Sequence, residues 1–199
     1  FGYQVCNVGN ASDTVGIGWR SLYSNTANYI VAVGRSALES NKTGASNVAV
    51  GYQALICNTV GNNNTAIGRS ALFYNTASSN TAVGFCALKA NSAGYQNTAI
   101  GRSAGGNITT GIRNTAIGNY ALRDNTTSSC NTAIGFYALR SNTASSNTAV
   151  GKCALKDNTT GNNNVAVGRD TLFNNTVGSN NTALGDFTLC VNTASNNTA

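Results

Sequence analysis

Side chains capable of acid–base catalysis are few and scattered in this chain of 199 residues. There is no histidine, and the acidic residues are spread over distant positions: Asp13, Glu39, Asp124, Asp157, Asp170 and Asp186. Asp124 and Asp157 share a position in the sequence repeat described below, but they lie two repeats apart. General acid–base catalysis needs groups that converge on the reacting atoms. We therefore predict that the chain is not an enzyme and has no catalytic residues.

Metal and cofactor sites are not expected either. The sequence contains no Cys-x-x-Cys pair, the spacing typical of zinc sites. It also lacks the Gly-Gly-x-Gly-x-Asp nonapeptides of calcium-binding β-rolls.

The cysteines are the most reactive side chains: Cys6, Cys57, Cys86, Cys130, Cys153 and Cys190. Only Cys86 and Cys153 share a repeat position, and they are four repeats apart, about 19 Å at the usual strand spacing. A disulfide needs Cα atoms within about 7 Å. We predict no disulfide within one chain, so the thiols are either free or candidates for interchain disulfides.

A repeat of 16 or 17 residues must position all of these side chains. Its marker glycines are Gly2, Gly18, Gly34, Gly51, Gly68, Gly84, Gly101, Gly118, Gly135, Gly151, Gly168 and Gly185. Each lies in a phrase close to Asn-Thr-Ala-Ile/Val-Gly-x-x-Ala-Leu-x-x-Asn-Thr. Turns this short bury their apolar side only by stacking. Residues 1–199 are thus predicted to form one continuous solenoid segment, interpreted as part of a longer fibre.

The composition of one repeat predicts strands rather than helices. Thr65–Ile67 reads as a short strand, Gly68 as a structural corner, and Ala71–Leu72 as a second strand. Helical repeats need about 33 to 47 residues. The predicted fold is all-β: a parallel β-solenoid (β-roll) of about twelve turns, with essentially no helix.

Both faces of the first strand carry apolar or small residues. Side chains alternate across a strand, so Ala66 and Ile67 point in opposite directions. One face lines the inside of the coil, and the other needs a covering surface. A homo-oligomer, with a trimer favoured, is the preferred interpretation, and a monomer with a small exposed face is the alternative.

Asparagine and threonine also recur in columns. One asparagine column runs from Asn25 to Asn192 and another from Asn47 to Asn181; both are interpreted as hydrogen-bonded structural corners. The repeat after Gly101 departs from the pattern, with Gly105 and Ile108 at the leucine and asparagine positions. That turn is expected to be thinner.

Aromatic and cationic residues interleave at the position after the marker glycines. It includes Trp19, Arg35, Tyr52, Arg69, Phe85, Arg102 and Phe136. Cations stack on aromatic faces, so this stripe either stabilises an edge or binds a glycan or surface receptor.

Charge and hydropathy argue against a nucleic-acid partner and against a membrane span. The net charge is +6, but the cations are dispersed about one per repeat, whereas a nucleic-acid footprint needs a clustered patch. No apolar stretch approaches the roughly 20 residues of a membrane span.

The phrase in residues 64–72 and 131–139 resembles the β-roll head repeats of trimeric autotransporter adhesins. It is also similar to the Asn-Thr-Ala-rich repeats of phage-type tail-fibre proteins. This resemblance implies a trimeric parallel β-roll at a cell surface or on a virion. The period differs, because the adhesin repeat is shorter and carries Ser-Val in place of Asn-Thr.

These observations predict a structural protein: the shaft of an extracellular or virion fibre, with adhesion along exposed columns. One alternative is a subunit of an extracellular filament that self-associates end to end, because the repeat register of Ala199 matches that of Phe1. A second alternative is a glycan- or ice-binding solenoid module.

Overall fold

The computed structural model describes residues 12–199 as a parallel β-solenoid with one strand in each turn. The strands are β1 (Thr14–Ile17), β2 (Ile30–Val33), β3 (Val48–Val50), β4 (Thr65–Ile67), β5 (Thr81–Val83), β6 (Thr98–Ile100), β7 (Thr115–Ile117), β8 (Thr132–Ile134), β9 (Thr148–Val150), β10 (Val165–Val167) and β11 (Thr182–Leu184). These residues contain no helix. The predicted fold class is confirmed, with about ten turns rather than twelve; Gly2 and Cys6 lie outside the described residues.

The strands form a single sheet in chain order, and equivalent residues pair in register. Thr65 pairs with Thr81, for example, and Ala66 with Ala82. Neighbouring strands in a sheet are about 4.8 Å apart, so ten steps give a sheet about 48 Å long. Each residue of an inner strand therefore has an equivalent residue in the strand on either side.

The core is a thin line of alanine and leucine inside the coil. The central alanine of the strand, such as Ala66, is fully buried, and so are Ala71 and Leu72 on the opposite wall. Ile67 is 40% exposed. Ala66 and Ile67 thus point to opposite faces, as the alternation predicted.

The predicted second strand at Ala71–Leu72 is wrong. This wall consists of tight turns, in which Ala71 N–H donates to Gly68 O and Asn75 N–H donates to Leu72 O. Ser70 and Leu72 have φ of +55° and +50°. Such left-handed residues interrupt an extended strand, because its residues need negative φ.

The second wall nevertheless pairs its backbone with both neighbouring turns. Ser70 N–H donates to Tyr52 O of the preceding turn at 2.9 Å, and Leu72 N–H donates to Ala87 O of the following turn at 3.0 Å. These hydrogen bonds satisfy buried backbone groups that would otherwise be costly. They offset the local cost of placing leucine in the left-handed region, where its Cβ crowds the following carbonyl.

The corner after each strand requires glycine for two reasons. Gly68 has φ of +129°, a region that residues with a Cβ rarely adopt. A Cβ at Gly68 would also lie 2.6 Å from the carbonyl oxygen of Gly84 in the next turn. The repeated glycine therefore permits both the corner and the close stacking of consecutive turns.

The difference between 16- and 17-residue turns is confined to one loop. The two asparagine columns are separated by one fewer residue in the shorter turns, as Asn75 and Asn80 show beside Asn58 and Asn64. The strand register does not change across the two lengths. The loop absorbs the extra residue without disturbing the sheet.

Both asparagine columns are buried and hydrogen-bonded along the rod. Asn41 Nδ2 donates to Asn25 Oδ1 at 2.7 Å, and Asn64 Oδ1 accepts from the backbone N–H of Asn80 at 3.0 Å. The prediction of stacked amides is confirmed. The asparagines of the two columns do not have the left-handed backbone conformation that is common at tight corners. The residue just before the second column does have it, as Asn63 shows with φ of +57°.

The turn after Gly101 is not thinner, contrary to expectation. Gly105 occupies the leucine position, and Ile108 fills the adjacent space with 1% exposure. A Cβ on Gly105 would lie 3.0 Å from Ile108 Cδ1. The isoleucine thus replaces the volume of the missing leucine, and the glycine makes room for it.

Gly68→Ala is predicted to destabilise the rod by about 3 kcal/mol, because the added methyl group meets backbone and the backbone conformation becomes strained. Gly106→Ala is the matched control, since its nearest contact would be 3.2 Å. Denaturant unfolding of both variants measures the difference. Equal stabilities would contradict the role of the corner glycine.

Candidate functional site

The residue after each corner glycine is exposed on one edge of the coil, where the chain leaves the sheet. We define the aromatic–arginine ladder as the line of side chains that begins here and continues onto the neighbouring, half-buried position. Its members are Trp19, Arg35, Tyr52, Arg69, Phe85, Arg102 and Tyr120.

Guanidinium groups and aromatic rings alternate along this ladder. Arg35 Cζ lies 4.8 Å from the ring centroid of Trp19 and 5.8 Å from that of Tyr52. Arg69 Cζ lies 5.6 Å from Tyr52 and 5.8 Å from Phe85. Each guanidinium therefore lies over a ring in the turn before it and a ring in the turn after it.

The ladder continues through a residue that sequence reasoning missed. Arg102 Cζ lies 5.8 Å from Phe85 and 5.6 Å from Tyr120, and Tyr120 stacks on Tyr137 with centroids 5.4 Å apart. Tyr120 is two residues after its glycine rather than one. The signal available was a pair of tyrosines at that neighbouring position, next to the turn where Asn119 interrupts the stripe.

Phe136 is separate from the arginine contacts of the ladder. Its ring packs against Tyr137, with centroids 4.0 Å apart. The structure thus brings together the first six predicted stripe residues and places the seventh beside the aromatic end of the line.

The ladder arginines have no acidic partner among the described residues. The ion pairs there join Arg20 to Glu39, Arg123 and Arg140 to Asp124, Lys156 to Asp157, and Arg169 to Asp186. The side chains of Arg35, Arg69 and Arg102 make none of these pairs, and all three residues are exposed. Their positive charge and their N–H donors are therefore available to a ligand.

The described cavities are open depressions rather than enclosed sites. One of ≈ 300 Å³ is lined by hydroxyl and amide residues of the loops, including Thr127, Ser128 and Asn162. Another of ≈ 200 Å³ lies beside Gly106, where the missing side chain leaves space between Lys89 and Arg123. Across residues 12–199 the structure shows no group of three or more metal-ligating side chains.

The outward face of the sheet is a second unusual surface. Its two outward columns contain only threonine, valine, isoleucine and leucine from β2 to β11. Ile67 and Ile100 are 40% and 41% exposed. We call these two columns the outer sheet face.

The candidates for interchain disulfides differ in exposure. Cys57, Cys86, Cys130, Cys153 and Cys190 are free thiols, and Cys6 lies outside the described residues. Cys130 is exposed, whereas Cys153 is buried and cannot reach a neighbouring chain without movement of its turn. Burial raises the pKa of the Cys57 and Cys153 thiols, with smaller contributions from Glu39 and Asp170 respectively.

Comparison with known proteins adds no family assignment. No protein-family model, curated protein or solved structure shows a significant match to the chain. The resemblance to adhesin and tail-fibre repeats therefore stays a prediction. No helix among residues 12–199 is long and apolar enough to cross a membrane.

The cysteines provide a test of the buried and exposed surfaces. At about pH 8, iodoacetamide is expected to alkylate Cys130 before Cys57 and Cys153, because only thiolates react and burial disfavours the charged form. Labelling of Cys57 and Cys153 should continue to rise as the pH increases beyond the ordinary thiol pKa of about 8.5, because the pKa of both thiols is raised. Peptide mass spectrometry measures each site, with unfolded protein as the control. Equal labelling rates in the native protein would contradict this.

Proposed function

We propose that this chain is the shaft of a fibre, an extended structural element that also adheres through its aromatic–arginine ladder. The observation that carries the proposal is the direction of its interactions. Strand pairing, amide hydrogen bonds and arginine–ring contacts all run along one axis from each turn to the next. A solenoid stabilised in this way gains length by adding turns.

Polar loops support the same conclusion. Thr76 Oγ1 donates to Ser92 O at 2.8 Å, and Thr143 Oγ1 donates to Thr159 O at 2.7 Å. Each bond joins an exposed loop to the equivalent loop of the next turn. Hydrogen bonds thus join neighbouring turns in the loops as well as in the sheet, which suits a mechanical role in an extracellular or virion fibre.

The outer sheet face favours a homo-oligomer within the shaft. It has no charged residue from β2 to β11, although the chain carries a net charge of +6. Uncharged apolar strips are typical of the centres of interfaces between copies of one chain. A trimer around a common axis would cover this face in every copy.

The second proposal is a filament whose subunits associate end to end. Uniform strand pairing favours it, since each turn is an equivalent template for the next. The two proposals differ in length distribution, because a shaft has a fixed length whereas a polymer does not.

The shaft proposal predicts a definite mass per unit length. One chain corresponds to about 0.35 kDa per Å of rod at a rise of about 4.8 Å per turn, so a trimer should show about three times this value. Cryo-electron microscopy of native particles measures mass and length together. A single-chain cross-section in filaments of unbounded length would favour the polymer and contradict the trimeric shaft.

Charge placed on the outer sheet face should dissociate the oligomer. The double variant Ile67→Lys/Ile134→Lys is expected to be monomeric, because burying lysine without a partner in an interface is costly. Val60→Lys/Val177→Lys is the matched control, since these valines are 55% and 54% exposed in the loops. Analytical ultracentrifugation measures both. An unchanged oligomer in the first variant would exclude this interface.

A further inference from the structure

We propose that the aromatic–arginine ladder binds an extended acidic polysaccharide with a carboxylate or sulfate on alternate sugars. This inference rests on the proposed adhesive role and names the ligand class for that surface. Its starting point is the set of three exposed arginines, Arg35, Arg69 and Arg102, that have no acidic partner within residues 12–199.

Their guanidinium groups are held in place before any ligand binds. Each lies between two aromatic rings at 4.8 to 5.8 Å from the centroids. A flexible arginine loses side-chain entropy when it binds an anion. Placement between rings removes part of that loss in advance, and it leaves the N–H edges of the guanidinium free to form charge-assisted hydrogen bonds.

The same contacts favour an anionic group over a neutral ring. The faces of Tyr52 and Phe85 are each flanked by guanidinium groups from both neighbouring turns. A sugar or base that stacked on these faces would have to displace an arginine. The ladder therefore exposes positively charged guanidinium groups that are separated by the edges of aromatic rings.

The spacing of the arginines defines the ligand further. Arg35, Arg69 and Arg102 occur in alternate turns, so neighbouring guanidinium groups are about 9.6 Å apart along the rod. Two sugar units of an extended polysaccharide span a similar length, which matches one anionic group on every second sugar. A nucleic-acid duplex places phosphates far more densely, about every 3.4 Å along a strand.

The test measures binding of defined oligosaccharides to the intact chain. The probes are hyaluronan and unsulfated chondroitin oligosaccharides long enough to span all three arginines, a neutral chitin oligosaccharide of equal length, and duplex DNA. Isothermal titration calorimetry at fixed salt gives the affinities. We expect at least one acidic oligosaccharide to bind more tightly than the neutral one and the DNA.

The decisive variant is Arg35→Gln/Arg69→Gln/Arg102→Gln, which should lower that affinity at least about tenfold. The control Lys42→Gln/Lys89→Gln/Arg113→Gln removes the same charge outside the ladder and should change affinity less than about twofold. A second variant, Tyr52→Leu/Phe85→Leu, keeps every charge but frees the guanidinium groups, and it should weaken binding by a smaller factor. Circular dichroism checks that all variants retain the solenoid.

Three results would overturn the proposal. Equal losses in the ladder and control variants would indicate general attraction to a basic protein. Tighter binding of DNA or of the neutral oligosaccharide would assign the ladder to another ligand class. Absence of binding to both acidic oligosaccharides would remove the site, while particle length and mass per unit length would still test the shaft on their own.

Discussion

The contact on which this structure depends is the stacking of one glycine corner on the next. The carbonyl of Gly84 lies where a side chain on Gly68 would have to be, and the same relation recurs from Gly18 to Gly168. Since no Cβ fits, consecutive turns approach at the distance set by backbone hydrogen bonds alone. That approach imposes an identical register on every strand pair. All other columns in the molecule, including the asparagines and the ladder, follow from it.

Buried amides are the second constraint, because they are costly unless they are paired. Each asparagine in the column of Asn64 uses its oxygen for a backbone N–H of the next turn and its Nδ2 for a loop carbonyl. Pairing in the first column is incomplete, because the Oδ1 atoms of Asn58, Asn91 and Asn125 have no hydrogen-bond partner. After Asn91 the next column position is Ile108, whose side chain has no donor. Ile108 fills the space in the core, but its side chain cannot form the hydrogen bonds of the asparagine that it replaces. In the turn after Gly101 the buried Ile108 therefore takes the place of a buried amide, where the core also loses a leucine.

Much of this fold could be predicted from the sequence because the period is short and its phrase is nearly constant. The strand at Thr65–Ile67, the corner at Gly68 and the burial of Ala66 all follow from alternation and from the properties of glycine. The wall at Ala71–Leu72 could not, since a leucine with φ of +50° contradicts its local preference. Hydrogen bonds to neighbouring turns help to stabilise that conformation, and these exist only in the stacked state. Tyr120 was missed for a similar reason: contact across turns brings it into a ladder to which its sequence position does not belong.

Regular stacking also supports the proposed recognition of a polymer by exposed residues of this rod. On an irregular surface, the distance between three arginines depends on rotamers and loops. Here the backbone sets that distance as a multiple of the strand spacing, and the rings of Tyr52 and Phe85 restrict the remaining side-chain freedom. A linear ligand with a matching repeat gains each further contact at little additional entropic cost, as in multivalent binding. The alternation of aromatic and cationic residues doubles the period from one turn to two, so the proposed ligand would meet an arginine at every second unit. The stacking that makes the chain a rod would therefore also set the spacing of the anions that its charged edge binds.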